Sequence, residues 1–235
     1  MKILFGMSIL LALMLGAQTG GTTPAVTSAA KRQVPAAETN PGSPADLPLR
    51  SVSIKARNIH LALSAISDTY KVPIGLEVSP DDDLLKERAI VVQLDRGTLR
   101  DVLDVVASQH PLYTWVIADG VVNVFPKGGR EPMLKALLEA RVGNFRLTPG
   151  TSRFTFRENL TDSPEVKGVL AAFGIKSNNE IFGSRDVLKL GLNSSLDLSH
   201  VSVKAVLNRV IRDSETRYWI VNRDGAERQY LLLNL

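Results

Sequence analysis

The chain predicts an α+β fold, organised as two tandem small modules of order β-α-β-β-α-β-β, each a short sheet packed against two helices. The main observation is internal repetition. Leu94, Gly97-Thr98-Leu99, Val102-Leu103, Val106, Tyr113 to Ile117 and Asp119-Gly120 recur as Leu198, Val201-Ser202-Val203, Val206-Leu207, Val210, Arg217 to Val221 and Asp224-Gly225. The offset is 104 positions and holds without a gap from Leu94 to Ile117, with one residue inserted before the second Asp-Gly. Self-similarity at such spacing marks two copies of one structural unit rather than one large catalytic scaffold. A second observation is that strand-like alternation and helix-like periodicity follow each other within each copy. A third is the length of 235 residues, which leaves about 100 positions per copy once the terminal segment is set aside.

In the first module, 49–126, Val52 and Ile54 alternate with Ser51, Ser53 and Lys55 as a strand does. Ile59, Leu63, Ile66 and Tyr70 then fall on one helical face behind Asn58 as cap, and Val72-Pro73 ends that helix. Ile74 to Val78 reads as a second strand, Ser79-Pro80-Asp81-Asp82-Asp83 as a turn, and the stretch to Lys86-Glu87 as irregular or helical. Ala89 to Leu94 is a third strand. Thr98 caps the next helix with Asp101 three residues on, and Leu99, Val102, Leu103 and Val106 form its buried stripe. Tyr113 to Ile117, the Asp119-Gly120 turn and Val121 to Phe125 make a hairpin.

Residues 127–132 read as a linker and 133–235 as a second, degenerate module. Met133 to Ala140 predicts a short helix, with strands at Phe145 to Leu147 and Phe154 to Arg157. Ser163-Pro164 opens a helix whose buried face is Val166, Val169, Leu170 and Phe173. Between Ile181 and Leu198 only Val187 to Leu190 and Ser195 to Leu198 have strand character. A helix at Val203 to Arg212, a strand at Arg217 to Asn222, the Asp224-Gly225 turn and a closing strand from Gln229 to Leu235 repeat the end of the first module.

Ahead of the modules, Met1-Lys2 precedes an apolar run from Ile3 to Leu15 and then Gly16-Ala17, the pattern of a secretory signal peptide over 1–17. The run is several residues short of the roughly 20 that a membrane anchor needs. The expectation is a periplasmic protein of a Gram-negative envelope with no integral span once the signal is removed. Residues 18–48 are dominated by Thr, Ala, Pro, Gly and Ser, with Val26, Val34 and Leu47 as the large apolar residues, and read as a flexible tether. The absence of cysteine rules out disulfides and lipidation through a thiol. A net charge of +4 is mild and scattered, unlike the dense basic stripe of most nucleic-acid binders.

No catalytic, cofactor-binding or metal residue is assigned. His60, His110 and His200 read as solvated helix ends, in no metal or protease spacing. Asp81-Asp82-Asp83 lacks the alternation, central Gly and distant Glu of a calcium loop and reads as a solvated turn. There is no Walker loop and no Gly-x-Ser-x-Gly elbow. Asn159-Leu160-Thr161 and Asn193-Ser194-Ser195 read as chance glycosylation matches. Trp115 and Trp219, at equal repeat positions, are assigned to core packing rather than to ligand stacking.

From Val52 to Phe125 the chain resembles the secretin and TonB short N-terminal domain family. The resemblance is carried by Leu61-Ala62-Leu63-Ser64-Ala65-Ile66, Ile74-Gly75-Leu76-Glu77-Val78, and Leu99-Arg100-Asp101-Val102-Leu103 leading into Tyr113-Thr114-Trp115. It implies a periplasmic docking unit for a secretion, pilus or outer-membrane receptor component, or for another copy of itself. Neither a secretin nor a receptor barrel follows in this chain, so a free-standing, non-enzymatic adaptor is the expected form, with the terminal strand Gln229 to Leu235 as its docking element. Two other classes stay open: nucleic-acid binding in DNA uptake, and cell-wall hydrolysis.

Overall fold

A computed structural model describes residues 43–84, 86–177, 188–224 and 230–234. These all belong to one compact unit, Asn40–Leu235. The signal segment, most of the tether, the Gly225 turn position and Val187 lie outside the described residues; of the strand read at Val187 to Leu190, Lys189 forms a single antiparallel bridge to Ser152. The part of the tether that is described departs from expectation, because Pro44–Asp46 forms a 3-10 turn capped by Ser43 and Ala45 is buried.

The first half starts with β1, Pro48–Ala56, and α1, Ile59–Tyr70. Asn58 caps α1 by accepting from the Leu61 N–H at 2.9 Å, and Lys71 closes it in the left-handed region. Strands β2, Ile74–Glu77, and β3, Ile90–Thr98, follow. No helix forms at Lys86-Glu87. The helix α2, Leu99–Gln109, carries the full capping box at Thr98 and Asp101. Strands β4, Tyr113–Ala118, and β5, Val121–Pro126, are joined by Asp119 and Gly120, both at positive φ as a two-residue hairpin turn requires.

The second half begins with α3, Pro132–Glu139, and β6, Arg141–Leu147. The strand expected at Phe154 to Arg157 is instead part of a helix, α4, Arg153–Thr161. Ser152 caps it, and Phe156 and Leu160, one turn apart, are its buried pair. Helix α5, Pro164–Ala172, buries Val166 and Leu170, but Phe173 just beyond it is 43% exposed rather than part of the packed face. Strands β7, Lys176–Ser177, and β8, Leu196–Ser202, lead to α6, Val203–Asp213, capped by Ser202. The hairpin strands β9, Tyr218–Asp224, and β10, Tyr230–Asn234, complete the described chain.

The mixed α+β architecture holds three sheets. β1 pairs antiparallel with β3, and β6 pairs antiparallel with β8. A six-stranded sheet runs β4-β5-β2-β9-β10-β7. Its pairing order is the same on either side of the centre: a hairpin (β4-β5 or β9-β10) whose second strand pairs parallel with an earlier strand (β2 or β7). The join is β2 against β9, parallel.

That join makes β9 a wall between two cores. Tyr218 and Ile220 pack with Leu63, Ile66, Leu76, Val102 and Val106 of the first half. Trp219 and Val221 pack with Leu137, Phe156, Val206 and Val210 of the second. Successive residues of a strand point to opposite faces, so one strand closes both cores.

Candidate functional site

Among the described residues the sheet order leaves β4 as an outer strand. In its hairpin the Leu112 carbonyl accepts from the Lys127 N–H at 2.8 Å, and antiparallel pairing alternates from there. The amide groups of Thr114, Val116 and Ala118 therefore face β5, and those of Trp115 and Ile117 face away from it. An outward row of this kind is a template for another strand. Val116 is 46% exposed on the strand's other face.

The side chains along the edge are held by α2. Trp115 donates from Nε1 to Asp104 Oδ1 at 3.0 Å, and the Arg100 guanidinium lies over the indole, 5.6 Å from its centroid. Tyr113 is buried below them. Trp115 is thus half-buried, short of the core position assigned from sequence. Trp219 takes that position: it is fully buried and donates to Asn208 Oδ1 at 3.0 Å. Asn208 in turn donates to Asn123 Oδ1 at 3.2 Å, which closes a buried polar chain.

The terminal strand expected to dock partners is not an outer strand along its whole length. β9 pairs with it throughout, and β7 covers it at Tyr230 and Leu231.

Three titratable clusters were absent from the sequence reading. Glu77, at the end of β2, is fully buried and receives Lys204 Nζ at 2.8 Å, Arg130 Nη2 at 3.0 Å and Arg130 Nε. Hydrogen bonding to Glu77 raises the Arg130 pKa, and both cations also lie over the Phe125 ring. Both oxygens of the buried carboxylate are thus met by cations of the fold, which is the arrangement that a buried carboxylate needs.

The second cluster corrects the solvated reading of Asp82 and His110. Tyr113 Oη donates to Asp82 Oδ2 at 2.8 Å, Ser79 N donates to Tyr113 Oη at 3.1 Å, and His110 Nε2 meets Asp82 Oδ1 at 3.3 Å. The His110 side chain is 1% exposed, and its Nδ1 has no hydrogen-bond partner among the described residues. Desolvation by burial lowers the His110 pKa, assisted by Arg88 and opposed by Asp82. The geometry gives an Asp-His pair, but no hydroxyl meets the free imidazole nitrogen among the described residues.

The third cluster joins His60 and Tyr218, 3.0 Å apart between His60 Nδ1 and Tyr218 Oη. Burial lowers the histidine pKa and raises that of the tyrosine. His200 is exposed but lies within β8 at φ +53°, not at a helix end. Each histidine is thus in a separate place, and no group of three or more His, Cys, Asp or Glu side chains that could hold a metal ion occurs among the described residues. On α4, Arg157 has buried Nε and Nη2 atoms without partners among the described residues, and burial lowers its pKa.

No described helix is long and apolar enough to cross a membrane. No protein-family model, curated protein or solved structure matches the chain with significance.

Proposed function

We propose that this chain is a non-enzymatic docking protein of the cell envelope that binds another protein by strand addition at the outer edge of β4. The partner class is a secretion, pilus or receptor component. The observation that carries this reading is the open edge itself: the outward amide groups of Trp115 and Ile117 beside an exposed Val116, on a strand fixed by a hairpin and by α2. Such an edge supplies affinity through main-chain hydrogen bonds and specificity through the side chains beside it.

Photo-crosslinking in the cell tests it. A photoreactive residue at Val116 is expected to capture a protein that one at Val91, equally exposed on β3 at 47%, does not capture. Capture from Val91 alone overturns the reading.

A further inference from the structure

The edge that β4 leaves open has a filled counterpart in the same molecule. At the offset of 104, Tyr113, Trp115 and Ile117 correspond to Arg217, Trp219 and Val221. Those three positions of β9 face β2: the Arg217 carbonyl accepts from Ile74 N at 2.8 Å, and the Val221 carbonyl accepts from Val78 N at 3.0 Å. The chain thus displays what such an edge takes.

Two features of β2 fit it to β9. Gly75 lies directly beside Trp219, and a Cβ there would run into the indole ring, so a side chain is excluded. Two residues later Glu77, on the same face, meets Lys204, the second residue of α6.

The open copy keeps the matching groups. Trp115 makes the same hydrogen bond to α2 that Trp219 makes to α6, at 3.0 Å in each case and across 11 residues in each case. Arg100, the second residue of α2, stands 104 positions before Lys204. Its guanidinium already covers the Trp115 ring, and its ion pair with Asp46 is long, 3.7 Å, between side chains 35% and 45% exposed. An exposed pair of this length contributes little and yields readily to a better-placed acid.

We propose that β4 accepts from another protein an extended segment running parallel to it, with glycine beside Trp115 and Asp or Glu two residues later paired with Arg100. The proposal rests on strand addition at β4. Among its described residues a second copy of this chain has no spare segment of this kind to give. The described Gly-x-acid triplets are Gly75-Leu76-Glu77, seated against β9, and Gly129-Arg130-Glu131, tied through Arg130 to Glu77.

The test uses the full chain and a synthetic peptide copying Val72 to Ser79, with the backbone amides and the two indole N–H groups followed by NMR. The peptide is expected to protect the Trp115 and Ile117 amides from exchange and to shift the Trp115 indole while leaving Trp219 unmoved. Valine in place of the peptide glycine should weaken binding about tenfold or more through the clash with the ring. Lysine in place of its glutamate should weaken binding by about tenfold, and Arg100→Glu should restore the lysine peptide, because like charges at a contact repel and opposite charges attract. Failure of the copied peptide to protect either amide at millimolar concentration overturns the proposal. Equal binding by the valine peptide overturns the glycine rule while leaving strand addition intact, and strand addition itself is judged by the Val116 crosslink. Protection of both amides by the chain alone, rising with its concentration, overturns the assignment to a foreign segment.

Discussion

Trp115 and Trp219 stand at the same position of the same kind of hairpin, bonded in the same way to the preceding helix, yet one is half-buried and the other fully buried. What differs is the neighbour. β9 has β2 on its outer side, so both of its faces and both of its edges are covered, whereas β4 ends its sheet. A hydrogen bond and a helix can therefore fix a tryptophan's orientation without deciding whether it belongs to a core. The adjoining strand decides that.

The largest effect separating the two comes from truncation. Trp219→Ala is expected to cost about 3 to 5 kcal/mol of stability, as for a fully buried aromatic. Trp115→Ala should cost about 1 to 2 kcal/mol, because only part of its area leaves water. Denaturant unfolding of both variants checks this, and equal losses would break the comparison.

Exchanging the helix partners sharpens it. Asn208→Asp places a carboxylate oxygen against Asn123 Oδ1 in a site only 4% exposed, and should cost about 1 to 3 kcal/mol at neutral pH. That loss should shrink relative to the parent as pH falls, since burial raises the new carboxyl's folded pKa and the folded state then takes up the proton. Asp104→Asn, at the exposed counterpart, should change stability by less than about 0.5 kcal/mol.

The helix ends extend the same contrast. His110 follows α2 and Ser214, at the matching position, follows α6, and both are buried. Burial, the leading cause, lowers the His110 pKa below its unfolded value near 6.5, so the unfolded chain binds the proton more tightly. The stabilising contribution of neutral His110 is then complete above that value and is lost as pH falls from it through the lowered folded value. His60 acts in the same direction. Thermal unfolding between pH 7.5 and 5.5 should show a falling midpoint, and His110→Ser should flatten part of that slope. A variant with the parent's slope would remove His110 as the cause.

The smallest expected effect is at Val116. Val116→Thr should shift stability by less than about 0.5 kcal/mol, measured by the same unfolding, because the side chain is nearly half exposed at a strand edge.

Much of this arrangement was legible in the chain. Asn58 and Thr98 as caps, the stripe Leu99-Val102-Leu103-Val106 and the Asp119-Gly120 hairpin are local signals, and the structure places each of them where periodicity put it. Phe154-Thr155-Phe156-Arg157 misled because apolar and polar residues alternate over four positions, while the pair that packs, Phe156 and Leu160, has helical spacing behind the Ser152 cap. Parallel pairing of β2 with β9 left no local period, since it joins distant stretches of chain. Its traces were compositional. Tyr218 to Val221 is apolar at four successive positions, as in a strand covered on both faces, whereas the polar Thr114 stands in β4 where Tyr218 stands in β9. Glu77 was unreadable for a different reason: its two cations come from the interval between the halves and from α6, and only the assembled fold brings them together.

Chain synthesis gives the β2 contact another consequence. Glu77 and Lys204 are 127 residues apart, so during vectorial emergence the first half is complete well before the strand that covers its flank exists. In that interval the glutamate has no Lys204, and Gly75 presents bare backbone where Trp219 will lie. Non-local pairing of this kind makes late closure slow and leaves a strand edge exposed to chaperones or to aggregation. The final hairpin is therefore both the end of the sheet's assembly and the event that ends the first half's vulnerability, and a ribosome stalled before Tyr218 should hold a first half that proteases cut at β2.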